Sequence, residues 1–176
     1  MTGHDVGVDL LIPDPALVLL VGASGAGKST FARAHFRPTE IMSTDDLRAM
    51  LSDDANNQDA SGEAFHVLAL LLNGRLRRRL LTVVDATNLR PQSRRRSLAV
   101  ARRYGIPAVA IAFDMSPEVY DAHNLRRPDR QVDPEVVSVQ VSRMAAALEA
   151  LPTEGYAARY VLHRPAAAGE FRIVRR

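Results

Sequence analysis

The chain has 176 residues, a formal net charge of +3 and no cysteine, and 47% of its residues are hydrophobic. This length and composition suit a single globular domain, and the absence of cysteine excludes disulfides and cysteine-bound zinc. The apolar runs are only of strand length, and Met1–Asp9 lacks the pattern of a signal peptide, so we expect a cytoplasmic protein without a membrane segment.

Arginine side chains are concentrated in four clusters along the chain, at 75–80, 94–96, 102–103 and 125–130. Such clusters can form an electrostatic footprint for nucleic acid. The alternative is that they are solvated charges on helix faces, which the charge pattern favours for the first three clusters. Lys28 is the only lysine. Its compact ammonium fits among phosphate oxygens where the broader guanidinium of arginine does not, which indicates a specific role.

Apolar runs of strand length alternate with helical patterns along the chain. Strands are predicted at Leu17–Gly22, Glu40–Ser43, Leu81–Asp85, Ala108–Asp114 and Arg159–His163. Helices are predicted at Lys28–Phe36, Thr44–Leu51, Gly62–Leu80, Pro91–Tyr104, Ser116–Leu125 and Pro134–Leu151. This alternation indicates an α/β fold with helices on both faces of a parallel sheet, in which ligands bind beyond the carboxyl ends of the strands. We expect residues 1–15 to form a loosely ordered leader and residues 16–176 to form one domain.

The segment GASGAGKS, at Gly22–Ser29, matches the phosphate-loop pattern G-x-x-x-x-G-K-[ST] between a predicted strand and a predicted helix. In this pattern the backbone N–H groups and the helix N-terminus bind the phosphates of a nucleotide. Lys28 is expected to reach the β- and γ-phosphates, and the Ser29 hydroxyl to bind Mg²⁺. A glycine-rich turn without a ligand is disfavoured by the coincidence of strand, loop, lysine and helix. The residues assigned to the nucleotide are Gly22, Ser24, Gly25, Ala26, Gly27, Lys28, Ser29 and Thr30.

The stretch LTVVDATN, at Leu81–Asn88, contains a predicted strand that ends in Asp85. The tip of that strand is expected to lie beside the phosphate loop, where Asp85 can hold Mg²⁺ or its bound waters. Thr87 and Asn88 are candidates for lining the same cleft. The alternative is a strand-end aspartate that caps the next turn.

The stretch EIMSTDDLR brings Asp45 and Arg48 to the rim of the same cleft. A carboxylate at this place can accept the proton of an attacking hydroxyl, and an arginine one helical turn later can bind an anionic group of the acceptor. The alternative is that Thr44 or Asp45 is a helix N-cap and that Arg48 is solvated. Spacing alone leaves both interpretations open.

These motifs together resemble a known enzyme family, over residues 17–160. The similarity lies in GASGAGKSTFARAHFRPTE, STDDLRAMLSDDANNQ, LTVVDATN and RRPDRQV, which occur in the family's order and at closely similar spacing. The chain resembles the kinase domain of bacterial polynucleotide kinase-phosphatase, an RNA-repair enzyme that phosphorylates 5′-hydroxyl ends. The resemblance implies a P-loop phosphotransferase fold with a five-stranded sheet in the order 2-3-1-4-5 and a helical lid around 123–133.

The resemblance also implies roles for individual positions. Asp45 would be the general base, Arg48 would bind the phosphate 3′ to the acceptor nucleoside, and Gln58 would help to hold that end. Arg127 and Arg130 would belong to the lid over the ATP phosphates, where Arg127 stabilises the transition state; composition alone would make them a solvated helix end. The family's lid begins with arginine and asparagine, whereas this chain has histidine at the first of these positions, His123. A phosphate contact of the family can therefore be missing here, although an ordinary polar helix residue is the simpler interpretation of His123.

The leading expectation is an ATP-dependent kinase that transfers the γ-phosphoryl group, with Mg²⁺, to the 5′-hydroxyl of an RNA or DNA end. The acceptor would be single-stranded. Separate phosphatase or ligase proteins would be partners of the kinase. One alternative keeps the donor site but uses a small hydroxyl acceptor, such as a nucleoside or an antibiotic. A third hypothesis is a regulatory switch that hydrolyses ATP.

Overall fold

The structure is a computed structural model that describes residues 8–116, 118–120, 134–164 and 171–176. The predicted lid around 123–133 lies outside the described residues, together with His123, Arg127 and Arg130. Most of the predicted helix at Ser116–Leu125 also lies outside them.

The described residues contain seven strands, which form two separate parallel sheets. The strands are β1 (Val8–Ile12), β2 (Leu17–Val21), β3 (Ile41–Ser43), β4 (Thr82–Asp85), β5 (Ala108–Phe113), β6 (Ala158–Leu162) and β7 (Phe171–Arg175). The five-stranded sheet has the order β3-β4-β2-β5-β6, and every pair in it is parallel. This order confirms the α/β fold class and the predicted order 2-3-1-4-5, counted over the five predicted strands.

Helices cover both faces of the large sheet. They are α1 (Lys28–His35), α2 (Thr44–Ser52), α3 (Ser61–Arg77), α4 (Pro91–Arg103) and α5 (Pro134–Ala150). The helix α1 packs on one face through Phe31, and α2 to α5 pack on the other. All five residues of β2 are buried, because alternate side chains of this central strand enter the two core layers. Fully burying each Leu or Val side chain stabilises the fold by about 1.5–3 kcal/mol.

The N-terminal segment corrects one expectation, because residues 8–12 are not a loose leader. They form β1, which pairs with β7 in register from Val8 with Phe171 to Ile12 with Arg175. Leu10 and Ile12 are buried in the core layer that contains α1, and the Tyr160 hydroxyl bonds to the backbone N–H and C=O of Leu11, at 2.9 Å each. A strand whose partner lies about 160 residues away gives no local signal. Residues 1–7 lie outside the described part of the chain.

One arginine of the cluster at 94–96 belongs to the core. The Arg94 side chain is fully buried, and its Nε and Nη2 atoms donate to the two carboxylate oxygens of Glu154 at 2.7 Å each. Its Nη1 atom donates to the carbonyls of Asn88 and Leu89, at 2.8 and 2.9 Å. This bidentate pair fastens α4 to the segment that follows α5. The interpretation as a solvated helix face is therefore wrong for Arg94 and holds for its exposed neighbours Arg95 and Arg96.

The other arginines of the first three clusters lie near the ends of α3 and α4. Arg75 is half-buried and donates to the Leu81 carbonyl and the Thr82 hydroxyl, at 2.8 and 3.1 Å. The exposed members are Arg77, Arg78, Arg79, Arg102 and Arg103. Because α3 and α4 end just before β4 and β5 begin, these charges lie at the amino-terminal edge of the sheet, opposite the phosphate loop. Within the described ranges, no helix is long and apolar enough to cross a membrane.

Replacing Arg94 by alanine is expected to lower the free energy of unfolding by about 3–5 kcal/mol, because it leaves the Glu154 carboxylate buried without its partner. Urea denaturation followed by circular dichroism measures this. Arg95→Ala is the matched control and should change stability by less than about 0.5 kcal/mol. The double variant Arg94→Met/Glu154→Leu should recover most of the loss. Equal stability of Arg94→Ala and Arg95→Ala would contradict a structural role for the buried pair of Arg94 and Glu154.

Candidate active site

The phosphate loop needs its glycines for two distinct reasons. Gly25 and Gly27 have φ angles of 83° and 87°, in the left-handed region that favours glycine. Gly22 lies against β5, where an added Cβ would come within 3.0 Å of the Phe113 Cβ and 3.1 Å of its carbonyl oxygen. The loop can therefore turn sharply and still pack against the sheet. The helix α1 begins at Lys28, directly after Gly27.

The segment after β4 is hydrogen-bonded to the start of this loop and to the strand before it. The N–H of Gly22 donates to the Thr87 carbonyl at 2.9 Å, and the Asn88 side-chain amide donates to the Leu20 carbonyl at 2.7 Å. Asn88 is buried and has a φ of 50°. The sequence makes Asn88 a candidate for lining the cleft, but its side-chain amide instead bonds to the end of β2. Thr87 contributes through its backbone.

Lys28 is held inside the loop. Its side chain is buried, and its Nζ donates to the Ala23 carbonyl at 2.7 Å. The ammonium also lies close enough to Asp85 for its charge to oppose the rise in the pKa of that carboxyl that burial causes. A buried positive charge at the N-terminus of α1 is suited to binding phosphate.

Ser29, in the first turn of α1, and Asp85, at the end of β4, contact each other beside the phosphate loop. The Ser29 side chain hydrogen-bonds the Asp85 carboxyl, and burial raises the pKa of Asp85 above its ordinary value. The Ser29 hydrogen bond and the Lys28 charge act in the opposite direction, whereas the charge of Asp45 raises the pKa further. A buried carboxylate beside a hydroxyl gives Mg²⁺ the oxygen ligands that it prefers, and the ion would favour the ionised form that burial disfavours. The residues present therefore fit a magnesium ion.

The start of α2 brings Asp45 to the same edge of the sheet. Ser43, the last residue of β3, is paired with Asp85 in the parallel register of β3 and β4. The Ser43 hydroxyl accepts from the Asp46 N–H at 3.2 Å and is the N-cap of α2. The alternative in which Thr44 or Asp45 is the cap is thus wrong. The Asp45 carboxylate is left for other contacts.

Arg48 is ion-paired with Asp45 and is not solvated. Its Nη2 atom donates to the Asp45 Oδ1, its Nε donates to the Ala55 carbonyl at 2.9 Å, and only 7% of its side chain is exposed. The Asp45 side chain is 29% exposed, so it is the member of the pair that water or an acceptor can reach. The pair provides an oriented carboxylate beside an anion-binding group.

Some predicted site residues come together and others do not. Lys28, Ser29, Asp85 and Asp45 interact at one edge of the sheet. Gln58 is exposed, and the contacts described for its side chain stay within its own loop, with Asn56 and Ser61 at 3.3 Å. The lid residues of the sequence prediction lie outside the described part of the chain.

One contact to the phosphate loop was not predicted from the sequence. The Gln140 Oε1, on α5, accepts from the backbone N–H of Ser24 at 2.7 Å. Gln140 stands between two valines and belongs to no motif. Only the packing of α5 against the sheet brings it to the loop.

Solved structures of several different kinds of protein share this fold. A chain of the Pnkp1/Rnl/Hen1 RNA-repair complex is 23% identical with a TM-score of 0.67, over 78% of this chain and 46% of that one. A chain of the PezAT toxin–antitoxin system of Streptococcus pneumoniae is 18% identical, TM-score 0.62, over 85% and 67%. A sugar kinase of Janibacter sp. is 20% identical, TM-score 0.55, over 85% of both. The chain thus spans less than half the length of the RNA-repair chain, and these likenesses show the fold alone.

No curated protein matches the chain. The profile of the AAA_33 family, described as an AAA domain, matches residues 17–151, which extend from the first strand of the large sheet to the end of α5. The matched region contains the phosphate loop, Asp45, Asp85 and Gln140. The chain therefore belongs to the AAA_33 family and has a P-loop kinase fold.

Proposed function

We propose that this protein is an ATP-dependent kinase that phosphorylates the 5′-hydroxyl end of a nucleic acid. The observation that carries the proposal is the pair of Asp45 and the buried Arg48 beside Lys28, Ser29 and Asp85. A phosphate loop alone serves many reactions, whereas a reachable carboxylate next to it suits transfer to a hydroxyl. The motif resemblance over residues 17–160 supports the nucleic-acid acceptor, and so does the fold shared with an RNA-repair chain.

The donor side is formed by the loop at Gly22–Ser29. Its backbone N–H groups and Lys28 would hold the phosphates of ATP, with Thr30 following in the first turn of α1. Ser29 and Asp85 would hold Mg²⁺, which neutralises charge on the phosphate oxygens when it is bound. Arg127 and Arg130 are proposed to close over the same phosphates and to stabilise the charge of the transferred group.

On the acceptor side, Asp45 takes the proton of the 5′-hydroxyl. The hydroxyl oxygen forms a bond to the γ-phosphorus, the bond from that phosphorus to the bridging oxygen of ADP breaks, and the proton remains on Asp45. Arg48 has five N–H donors, of which two are used by Asp45 and Ala55. The Arg48 side chain is only 7% exposed, so we propose that acceptor binding uncovers it and that its other donors then bind the phosphate 3′ to the acceptor nucleoside, while the ion pair keeps Asp45 oriented. Gln58 is proposed to contact the acceptor only after its loop moves.

A small hydroxyl compound is the second candidate acceptor. The fold shared with a sugar kinase over 85% of both chains favours it. Asp45 keeps its role in this scheme, and Arg48 would bind an anionic group of the small molecule. The exposed arginines at the far edge of the sheet would then have no part in binding.

Transfer of labelled γ-phosphate from ATP to short 5′-hydroxyl RNA and DNA tests the proposal. Asp45→Asn should lower kcat by about 10²- to 10⁴-fold, because the proton acceptor is lost, and should leave ATP affinity within about twofold. Lys28→Ala should abolish ATP binding and transfer together. Asp46→Asn is the matched control, since this exposed neighbour lies on the same turn of α2, and it should retain transfer.

The outcomes separate the candidate functions. Label on the 5′ end of an oligonucleotide, lost in Asp45→Asn but not in Asp46→Asn, supports the polynucleotide acceptor. Label on a nucleoside, sugar or antibiotic but on no oligonucleotide would overturn it in favour of the second candidate. ATP hydrolysis that is unchanged in Asp45→Asn, with no acceptor labelled, would indicate a regulatory switch.

Asp85→Asn should increase thermal stability at pH 7 without Mg²⁺ and nucleotide. The pKa of Asp85 is raised in the folded protein, so the stability that this carboxyl confers is present below its unfolded pKa and is lost as the pH rises through the folded pKa. The gain in Tm should therefore shrink as the pH is lowered towards 4. The Mg²⁺-dependent activity of the same variant should be about 10- to 100-fold lower than that of the parent protein. A lower Tm at pH 7 would contradict an unfavourable burial of the ionised Asp85 carboxyl, and unchanged Mg²⁺-dependent activity would contradict its assignment as a cation site.

A further inference from the structure

The peptide unit between Ala23 and Ser24 is held from both sides. Its carbonyl accepts from Lys28 Nζ at 2.7 Å, and its N–H donates to Gln140 Oε1 at 2.7 Å. In a trans peptide the C=O and N–H groups point in opposite directions within one plane. The two contacts therefore fix the orientation of a single rigid unit in the phosphate loop.

The chemistry of the Gln140 contact is unambiguous. Because a backbone N–H can only donate, the atom that faces it must be the side-chain oxygen and not the NH₂ group. The distance is at the short end of the range for N–H···O bonds. The two residues are separated by 116 positions, so the contact joins α5 to the loop across the fold.

The helix α5 is itself firmly anchored. Met144 and Ala147 are buried in the core layer beneath β2 and β5, and Leu151 follows one turn later. Gln140 precedes Met144 by one helical turn, so it lies on the same face of α5 as these buried residues and nearer to the phosphate-binding edge of the sheet. The oxygen of Gln140 is thus presented from a helix whose following turns are buried in the core.

We propose that Gln140 is a positioning residue of the nucleotide site and acts through Lys28. By fixing the Ala23–Ser24 peptide, it keeps the Ala23 carbonyl directed at the Lys28 ammonium and so orients that ammonium before nucleotide binds. Rotation of this peptide would withdraw the carbonyl and release the lysine side chain. The inference rests on the proposed nucleotide site and is independent of the identity of the acceptor.

Gln140→Met removes the acceptor while keeping an unbranched side chain with good helix propensity. In the nucleotide-free protein, the Ser24 amide hydrogen should exchange about two- to tenfold faster by NMR, while the amides of Val18 and Leu20 in β2 keep their rates. ATP affinity should fall by a similar factor. Gln92→Met is the matched control at an exposed glutamine on α4 and should change neither quantity. Gln140→Glu keeps an oxygen at the same place and should preserve slow exchange of Ser24.

A double-mutant cycle tests whether Gln140 acts through Lys28. A Lys28→Arg background is expected to bind ATP more weakly, because the guanidinium fits less well, but still measurably, because the positive charge and the loop N–H groups are kept. In this background Gln140→Met should have little further effect. Unchanged Ser24 exchange in Gln140→Met, or the same loss of ATP affinity in both backgrounds, would overturn the inference. A parent protein that binds no ATP would overturn the proposed function as well. The two failures are distinguishable because amide exchange is measured without nucleotide.

Discussion

The site depends on the parallel pairing of β3, β4 and β2. Parallel strands end at one edge of a sheet, so the residues that follow each strand meet there although they are far apart in sequence. Gly22 follows β2, Asp85 ends β4, and Ser43 ends β3 in direct register with Asp85. A slip of one residue would turn the Ser43 and Asp85 side chains to the other face of the sheet and separate Asp85 from Ser29.

Buried charge is used in two different ways in this fold. Arg94 and Glu154 have their hydrogen-bonding groups largely matched by each other and by backbone carbonyls, so the pair fastens elements together without being available to a ligand. At the phosphate-binding edge, burial instead raises the pKa of Asp85. A carboxylate in that state would be stabilised by a bound cation, such as the proposed Mg²⁺.

The segment around Asp45 shows how local and long-range contacts combine. Ser43 supplies the N-cap of α2, which leaves the Asp45 carboxylate available instead of consuming it at the helix end. Arg48, one turn later, pairs with Asp45 and binds the loop that leads to α3. The same arginine therefore orients a carboxylate and fixes a loop. A change at Arg48 is therefore expected to disturb both the Asp45 carboxylate, which is the proposed general base, and the local backbone.

The sequence alone predicts the five central strands, most helices, the phosphate loop and the grouping of Lys28, Ser29, Asp85 and Asp45, because these follow from short-range periodicity and from a motif whose glycines are required by backbone geometry. Long-range packing accounts for the pairing of β1 with β7, the burial of Arg94 and the contact of Gln140 with Ser24. Each of these joins residues separated by 60 or more positions. Nothing in the local pattern distinguishes Arg94 from its exposed neighbours, or Gln140 from any polar residue on a helix, until packing places their partners beside them.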